Sequence, residues 1–131
     1  LPDSFDCPIK TGPAFSFRPP TREEILSCLQ QKDKSSPGQS GISYQDILYS
    51  DPEGAICEKI FGIILESNTV PSDWKTFDTL MIPKSGKEGE YHIPSSWRGI
   101  ALQECLYKLL TTLLCWQLKA WIRTNDLLHP L

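Results

Sequence analysis

Paired cysteines and metal-ligand spacings are missing from this sequence. None of the five cysteines forms a CxxC pair, and neither histidine lies at a metal-ligand spacing from a cysteine. The common zinc motifs are therefore excluded, and the odd number of cysteines argues against a closed set of disulfides. We expect reduced intracellular thiols. Cys28, Cys105 and Cys115 lie among apolar residues in helical patterns, where free cysteines usually pack as small hydrophobic side chains.

Long apolar runs, a secretory signal and an initiator methionine are also missing. No apolar run reaches the ~18 residues of a membrane span, and the first residues lack the pattern of a signal peptide. We therefore expect a soluble protein of the nucleus or cytoplasm with no membrane contact. The 131-residue chain begins at Leu1, so we interpret it as an excised piece of a longer protein, with room for one core.

A strong excess of one charge is absent too. The net charge of −3 is weak and has the wrong sign for a free-standing nucleic-acid binder. Residues 1–83 carry seven basic and twelve acidic side chains, whereas residues 84–131 carry six and four. The basic share therefore lies in the second part of the chain.

Most of the chain has sequence patterns that are typical of helices. The first twenty residues contain five prolines and predict an extended lead-in segment rather than a packed element, with Phe15 and Phe17 as candidate anchors. Thr21 and Glu24 form a capping box, which marks the first helix. The patterns predict helices near 22–32, 52–66 and 103–123 and a shorter one over 43–50. The expected features are an N-cap at Asp51, an apolar stripe of Ile56, Ile60, Ile63 and Ile64, and a broad leucine face on the last helix.

A hairpin completes the predicted fold, which is α+β and mostly helical. Phe77–Ile82 is rich in β-prone residues and is closed by Pro83, and Trp97–Leu102 reads as the antiparallel return strand. Trp74 precedes the hairpin and is expected to be a buried anchor.

Two cations would then lie at one mouth of the hairpin. Lys84 follows the first strand and Arg98 opens the second. A planar guanidinium and a mobile ammonium suit a polyanion such as a triphosphate. From spacing alone, a solvated loop with scattered charges is the alternative interpretation.

Four short sequence motifs in this part of the chain resemble, in order and spacing, motifs of the reverse transcriptases of LINE-type, non-LTR retrotransposons. They are VPxxWK (Val70, Pro71, Trp74, Lys75), IPKxG (Ile82, Pro83, Lys84, Gly86), WRxIxL (Trp97, Arg98, Ile100, Leu102) and YKLL (Tyr107–Leu110). The resemblance covers roughly Phe17 to the end. After the lead-in segment over 1–20, it implies a partial reverse transcriptase domain over 21–131, the fingers part of a right-hand polymerase fold that ends before the catalytic palm.

The resemblance also implies roles for individual residues. Lys84 and Arg98 would contact the incoming dNTP, and the possible template or other nucleic-acid contacts are Lys75, Lys87, Tyr107 and Lys108. Two positions depart from the family pattern. Ser40 replaces the usual aspartate of a PGxDGI word, which puts the bonds of that carboxylate in doubt, and Gly99 replaces a proline after the arginine, which leaves Arg98 less preorganised.

Nucleotidyl transfer needs carboxylates that hold two metal ions, and no pair of adjacent aspartates occurs here. We interpret Asp73 and Asp78 as surface charges. We therefore expect no catalytic or metal-binding residue in this chain and no polymerisation by the chain alone. The resemblance implies that Mg²⁺ serves the full enzyme, with RNA template, DNA primer, dNTP and the palm of the same polypeptide as partners.

Two other functions stay open. The chain could be a non-catalytic nucleic-acid-binding remnant of such an enzyme. It could also be an unrelated helical interaction domain whose leucine face docks a partner helix. In that case the similarity of the four sequence motifs is a coincidence.

Overall fold

The computed structural model of the protein describes residues 12–32 and 35–127. Within them the α-helices are α1 (Arg22–Gln31), α2 (Tyr44–Ser50), α3 (Ala55–Ser67) and α4 (Cys105–Thr124), and the strands are β1 (Asp78–Pro83) and β2 (Trp97–Leu102). Single 3₁₀ turns, Ser72–Lys75 and Pro94–Ser96, precede the two strands. The α+β, mostly helical fold with a small antiparallel sheet is confirmed.

Capping boxes start the first two helices. Thr21 and Glu24 cap α1 reciprocally, as the sequence predicts. Ser43 and Asp46 do the same for α2, a second capping box that our sequence interpretation did not include. Both helices therefore begin where a short polar side chain satisfies the free backbone N–H groups of the first turn.

The start of α3 differs from the prediction. Asp51 is not the N-cap residue, because Pro52 and Glu53 form a turn and the helix begins only at Ala55, after Gly54 in the left-handed region. The Asp51 carboxylate still accepts hydrogen bonds from the N–H groups of the first turn, those of Ile56 at 3.2 Å and Cys57 at 2.8 Å. Asp51 therefore caps the first turn of α3 with its side chain, although it precedes the N-cap residue Gly54.

The apolar stripe predicted for α3 is also partly wrong. The buried side chains are Cys57, Phe61 and Ile64, with Ile60 packed at their edge. Ile56 and Ile63 are 55% and 64% exposed. The helix is therefore turned so that Cys57, Phe61 and Ile64 face the core, whereas Ile56 and Ile63 face solvent.

The core lies between α4 and the three shorter helices. Leu109, Leu110 and Leu113 are buried against side chains of α1 and α2. Trp74 is 9% exposed and its ring lies 5.9 Å from that of Tyr107, so the predicted anchor is confirmed. Among the described cysteines, Cys28, Cys57 and Cys105 are buried, whereas Cys115 is exposed and does not serve as a packed hydrophobic group.

The lead-in segment is extended but also packed, which the sequence did not predict. Residues 1–11, with Cys7, lie outside the described residues; over 12–20 the chain runs along the last part of α4. The Gln117 side chain bonds to both the N–H and the C=O of Arg18. The Phe15 ring lies 5.3 Å from that of Trp121 and 4.8 Å from that of Phe17, so Phe15 is an anchor.

The hairpin stands away from this core. Every residue of β1 is exposed, including Leu80, Met81 and Ile82 at 42–53%. It is therefore attached at its base and open to solvent on both faces. Within the described ranges, no helix is long and apolar enough to cross a bilayer.

Candidate anion-binding cleft of the hairpin

The register of the hairpin places the two predicted cations at its mouth. Arg98 lies opposite Ile82, and Trp97 lies opposite Pro83. The N–H of Lys84 then donates to Ser96 C=O at 2.9 Å, which extends the pairing by one residue. Lys84 and Arg98 therefore occur at the same end of the sheet, as the sequence predicts.

The connection from residue 84 to residue 96 is a string of tight turns. Backbone N–H groups donate from Glu90 to Lys87 and from Ile93 to Glu90, both at 2.9 Å. The Trp97 indole N–H donates to Tyr91 C=O at 2.8 Å, and the two rings lie 5.6 Å apart. The loop is therefore fastened to the start of β2, and the mouth of the hairpin has a defined shape.

The mouth encloses an open cleft of about 440 Å³. Its lining consists of Ile82, Pro83, Lys84, Ser85, Lys87, Arg98 and Ile100, with no acidic side chain among them. Backbone and aliphatic groups of the two strands form its floor, and three cations border it. Such a site favours an anion.

The charges of these cations are neutralised to different degrees. The Lys84 ammonium donates to Ser95 C=O at 2.8 Å, which orients it without cancelling its charge. Arg98 is exposed, and its side chain has no polar partner among the described residues. Lys87 pairs with Glu90 at 3.3 Å, with both side chains about half exposed, so its charge is partly compensated. Lys84 and Arg98 are therefore the two cations available to a ligand.

The base of the hairpin is held by the glycine-rich turn over 37–42. The Gln39 amide donates to the Asp78 carboxylate at 2.9 Å, at the first residue of β1. Next along the turn, Ser40 bonds to Glu104, two residues beyond the end of β2. The turn therefore fixes the direction in which the hairpin projects. Asp78, which the sequence suggested as a surface charge, is exposed but bonded; Asp73 is exposed on the preceding 3₁₀ turn.

The predicted template contacts are dispersed. Of the four, only Lys87 borders the cleft. Lys108 donates to Ser35 Oγ at 2.9 Å and to Ser36 C=O at 2.7 Å, and its ammonium lies 5.6 Å from the Tyr44 ring centroid. Tyr107 packs on Trp74, and Lys75 is exposed before β1.

Sequence reasoning missed the groups that shape the cleft. Ser95 C=O orients Lys84, and Ile82 and Ile100 line the floor. The alternation of β2 gives one signal, because Arg98 and Ile100 must share a face. No sequence signal points to Ser95, since it acts through its backbone carbonyl.

In the part of the chain that the structure describes, the acidic, histidine and cysteine side chains form no metal site, and the buried cysteines are not reactive thiols. It contains no group of three or more His, Cys, Asp or Glu side chains that could hold a metal ion. Burial, followed by the nearby Asp51, raises the pKa of Cys57 to about 12, and burial also raises the pKa of Cys28 and Cys105. These thiols stay protonated at neutral pH and are poor nucleophiles.

Comparison with known proteins shows a similarity to a retrotransposon protein. No protein-family model matches the chain. Over 115 residues, 88% of its length, it is 30% identical to the retrovirus-related Pol polyprotein from type-1 retrotransposable element R2 of Popillia japonica. The chain spans 15% of the length of that polyprotein. The similarity agrees with the retrotransposon resemblance of the sequence motifs and supports a retrotransposon-derived protein.

Proposed function

We propose that this chain is the fingers part of an RNA-directed DNA polymerase encoded by a non-LTR retrotransposon. The hairpin cleft then receives the triphosphate of the incoming dNTP. Lys84 and Arg98 contact its phosphate oxygens. The activity belongs to the parent protein, and the 131-residue chain alone does not polymerise.

The observation that carries this proposal is the pairing of Lys84 and Arg98 at one cleft. Two incompletely neutralised cations border it, and no acid lines it. The Arg98 guanidinium supplies a planar donor fork for phosphate oxygens, and Lys84 supplies a point charge held in place by Ser95. The similarity to a Pol polyprotein supports the same assignment.

The parent protein supplies the rest of the reaction. We propose that Mg²⁺ is held by carboxylates of its palm, outside this chain. RNA template and DNA primer are the other partners. Of the proposed nucleic-acid contacts, Lys75 is exposed, and Lys87 borders the cleft although it also pairs with Glu90. The polar and aromatic groups of Lys108 and Tyr107 have partners within the fold, so these two residues are less available.

The two alternative functions differ in their need for the cleft. A non-catalytic nucleic-acid-binding remnant would keep the basic surface without nucleotide selectivity. A helical interaction domain would use the leucine face of α4, but Leu109, Leu110 and Leu113 are already buried in the core of this chain. The interaction domain gives no role to the two cations at the hairpin mouth, whereas the remnant would use them for nucleic-acid phosphates, so nucleotide selectivity separates the remnant from the polymerase.

Steady-state kinetics of the parent protein test the proposal. Lys84→Ala and Arg98→Ala are each compared for dNTP incorporation on an RNA template and for equilibrium RNA binding. A charge-assisted bond is worth roughly 1.5 to 3 kcal/mol, so each change should lower kcat/KM for dNTP by about tenfold to a hundredfold. Arg98→Lys should lose less than Arg98→Ala, because lysine keeps the charge but not the fork.

The matched control is Lys59→Ala, which removes an exposed lysine of α3. It should leave kcat/KM within about twofold of the parent value. RNA binding should change little in every variant, because it is spread over many backbone contacts. If the cleft variants keep kcat/KM within twofold but weaken RNA binding tenfold, the cations hold the template and the nucleotide assignment is wrong.

A further inference from the structure

The longest helix has an unusual distribution of charge. Across its twenty residues, α4 carries Lys108, Lys119 and Arg123 and no acidic side chain, although the whole chain has a net charge of −3. Lys108 is occupied by its bonds to Ser35 and Ser36. The side chains of Lys119 and Arg123 are exposed and have no polar partner among the described residues.

These two cations share one face of the helix with a tryptophan. Trp116, Lys119, Ala120 and Arg123 follow the i, i+3, i+4, i+7 spacing of a helical stripe and line a shallow cleft of about 300 Å³. The Trp116 indole packs against the core on one side and is partly exposed. The small Ala120 leaves the space between the larger side chains open.

The macrodipole accounts for only part of this arrangement. A cation in the last turn of a helix is stabilised by the partial negative charge of that end, and Arg123 lies there. Lys119 lies more than one turn from the end, where that effect has faded. Trp116 contributes to the core through its packed side, but core packing does not require two exposed cations beside its exposed part.

We propose that the face formed by Trp116, Lys119, Ala120 and Arg123 binds single-stranded nucleic acid. Lys119 and Arg123, one helical turn apart, contact phosphates of one strand, and a base stacks on the exposed part of the Trp116 ring. Aromatic groups beside cations are the usual means of binding single strands without sequence preference. An acidic protein segment would use the cations but would gain little from the indole. This surface is separate from the hairpin cleft, so the inference goes beyond the proposed nucleotide role and does not depend on it.

The test uses the 131-residue chain and a fluorescein-labelled, unstructured 20-mer RNA, with anisotropy measured from 25 to 200 mM salt. The double variant Lys119→Gln with Arg123→Gln should bind about tenfold more weakly at low salt. Its plot of log affinity against log salt should be shallower by about 1.4, because two single-strand phosphate contacts are lost. Trp116→Leu should weaken binding at least about fivefold, and Trp116→Phe should restore most of the loss.

Two controls make the result decisive. Lys59→Gln, which removes an exposed lysine of α3, should bind as the parent chain does. Each variant is first checked for an unchanged thermal unfolding midpoint. The inference is overturned if the Lys119 and Arg123 double variant keeps the affinity and salt dependence of the parent chain. It is also overturned if poly-glutamate of equal charge displaces the RNA as well as unlabelled RNA does, or if Trp116→Leu has no effect.

Discussion

The Ser40 hydroxyl donates a 2.5 Å hydrogen bond to the Glu104 carboxylate, and the Ser40 N–H donates to the same carboxylate at 3.0 Å. The two residues are 64 positions apart, and Glu104 is the N-cap residue of α4. The PGxDGI motif that residues 37–42 resemble has an aspartate where this chain has Ser40. In this chain an aspartate would place two carboxylates face to face, so the serine is matched to Glu104.

Substitutions at Ser40 should therefore differ in their effect on stability. Ser40→Ala removes two exposed hydrogen bonds, the one that the hydroxyl donates to Glu104 and the longer one that it accepts from Ile42 N–H, and should lower the free energy of unfolding by about 1 kcal/mol. Ser40→Asp should lower it further at pH 7, because like charges meet and the Glu104 carboxylate loses its hydroxyl donor. Urea denaturation of each variant measures both effects.

The second site provides the control for this pair. Adding Glu104→Gln to Ser40→Asp removes the repulsion and should recover part of the lost stability, which makes the two changes non-additive. If Ser40→Asp alone is as stable as the parent chain, the carboxylate of Glu104 is not the partner that matters.

Alanine substitutions at two glycines should change the stability of the fold in opposite directions. A Cβ at Gly38 would lie 2.7 Å from Glu104 N and 2.8 Å from Gln103 C, which are backbone atoms that cannot move aside. Gly38→Ala should thus destabilise the fold by roughly 1 to 3 kcal/mol. Gly62, inside α3, has nothing within 4 Å of its Cβ position, so Gly62→Ala should stabilise by up to about 1 kcal/mol. Thermal unfolding of the two variants should shift in opposite directions; a Gly38→Ala midpoint equal to that of the parent would refute the close approach.

The buried Asp51 should make stability depend on pH. Burial alone would raise the pKa of this carboxyl, but the N–H groups of Cys57 and Ile56 donate to it and the net effect lowers its pKa. A lowered pKa in the folded state means that the stabilisation is present at neutral pH and is lost as the pH falls through the folded-state pKa. Asp51→Asn keeps only one acceptor oxygen, so it should cost about 1 kcal/mol at pH 7.

The difference between Asp51→Asn and the parent chain should shrink as the pH is lowered from 7 to 2, as urea denaturation at each pH can show. Asp73→Asn, at an exposed aspartate, serves as the control for loss of one charge. A difference that stays constant over the whole range would mean that the charged form of Asp51 has no special role.

Local signals in the sequence predicted the elements well. The capping box at Thr21, the strand at Trp97–Leu102 and the anchor at Trp74 depend on neighbouring residues or on one large side chain, and the structure agrees with all three. The common end of the sheet for Lys84 and Arg98 followed from the two strands alone. These features could be predicted because short-range chemistry decides them.

Features set by distant parts of the chain could not be predicted. Asp51 reaches the first turn of α3 across a turn that ends in the left-handed Gly54, so an ordinary N-cap pattern gave the wrong helix start. The exposure of Ile56 depends on which face of α3 the other helices cover. The packing of the lead-in segment depends on Gln117, 99 residues away from Arg18. Helical periodicity carries no information about such long-range partners.

Protection of Lys84 by nucleotide tests the central claim most directly. The parent protein, with primer, RNA template and Mg²⁺, is treated with an amine-reactive reagent, and labelling at each lysine is measured by mass spectrometry with and without the matched dNTP. If the triphosphate lies in the hairpin cleft, the dNTP should lower labelling of Lys84 severalfold, while labelling of Lys59 on α3 stays constant. Equal labelling of Lys84 with and without the dNTP, in a protein that incorporates nucleotide normally, would contradict the assignment of this cleft.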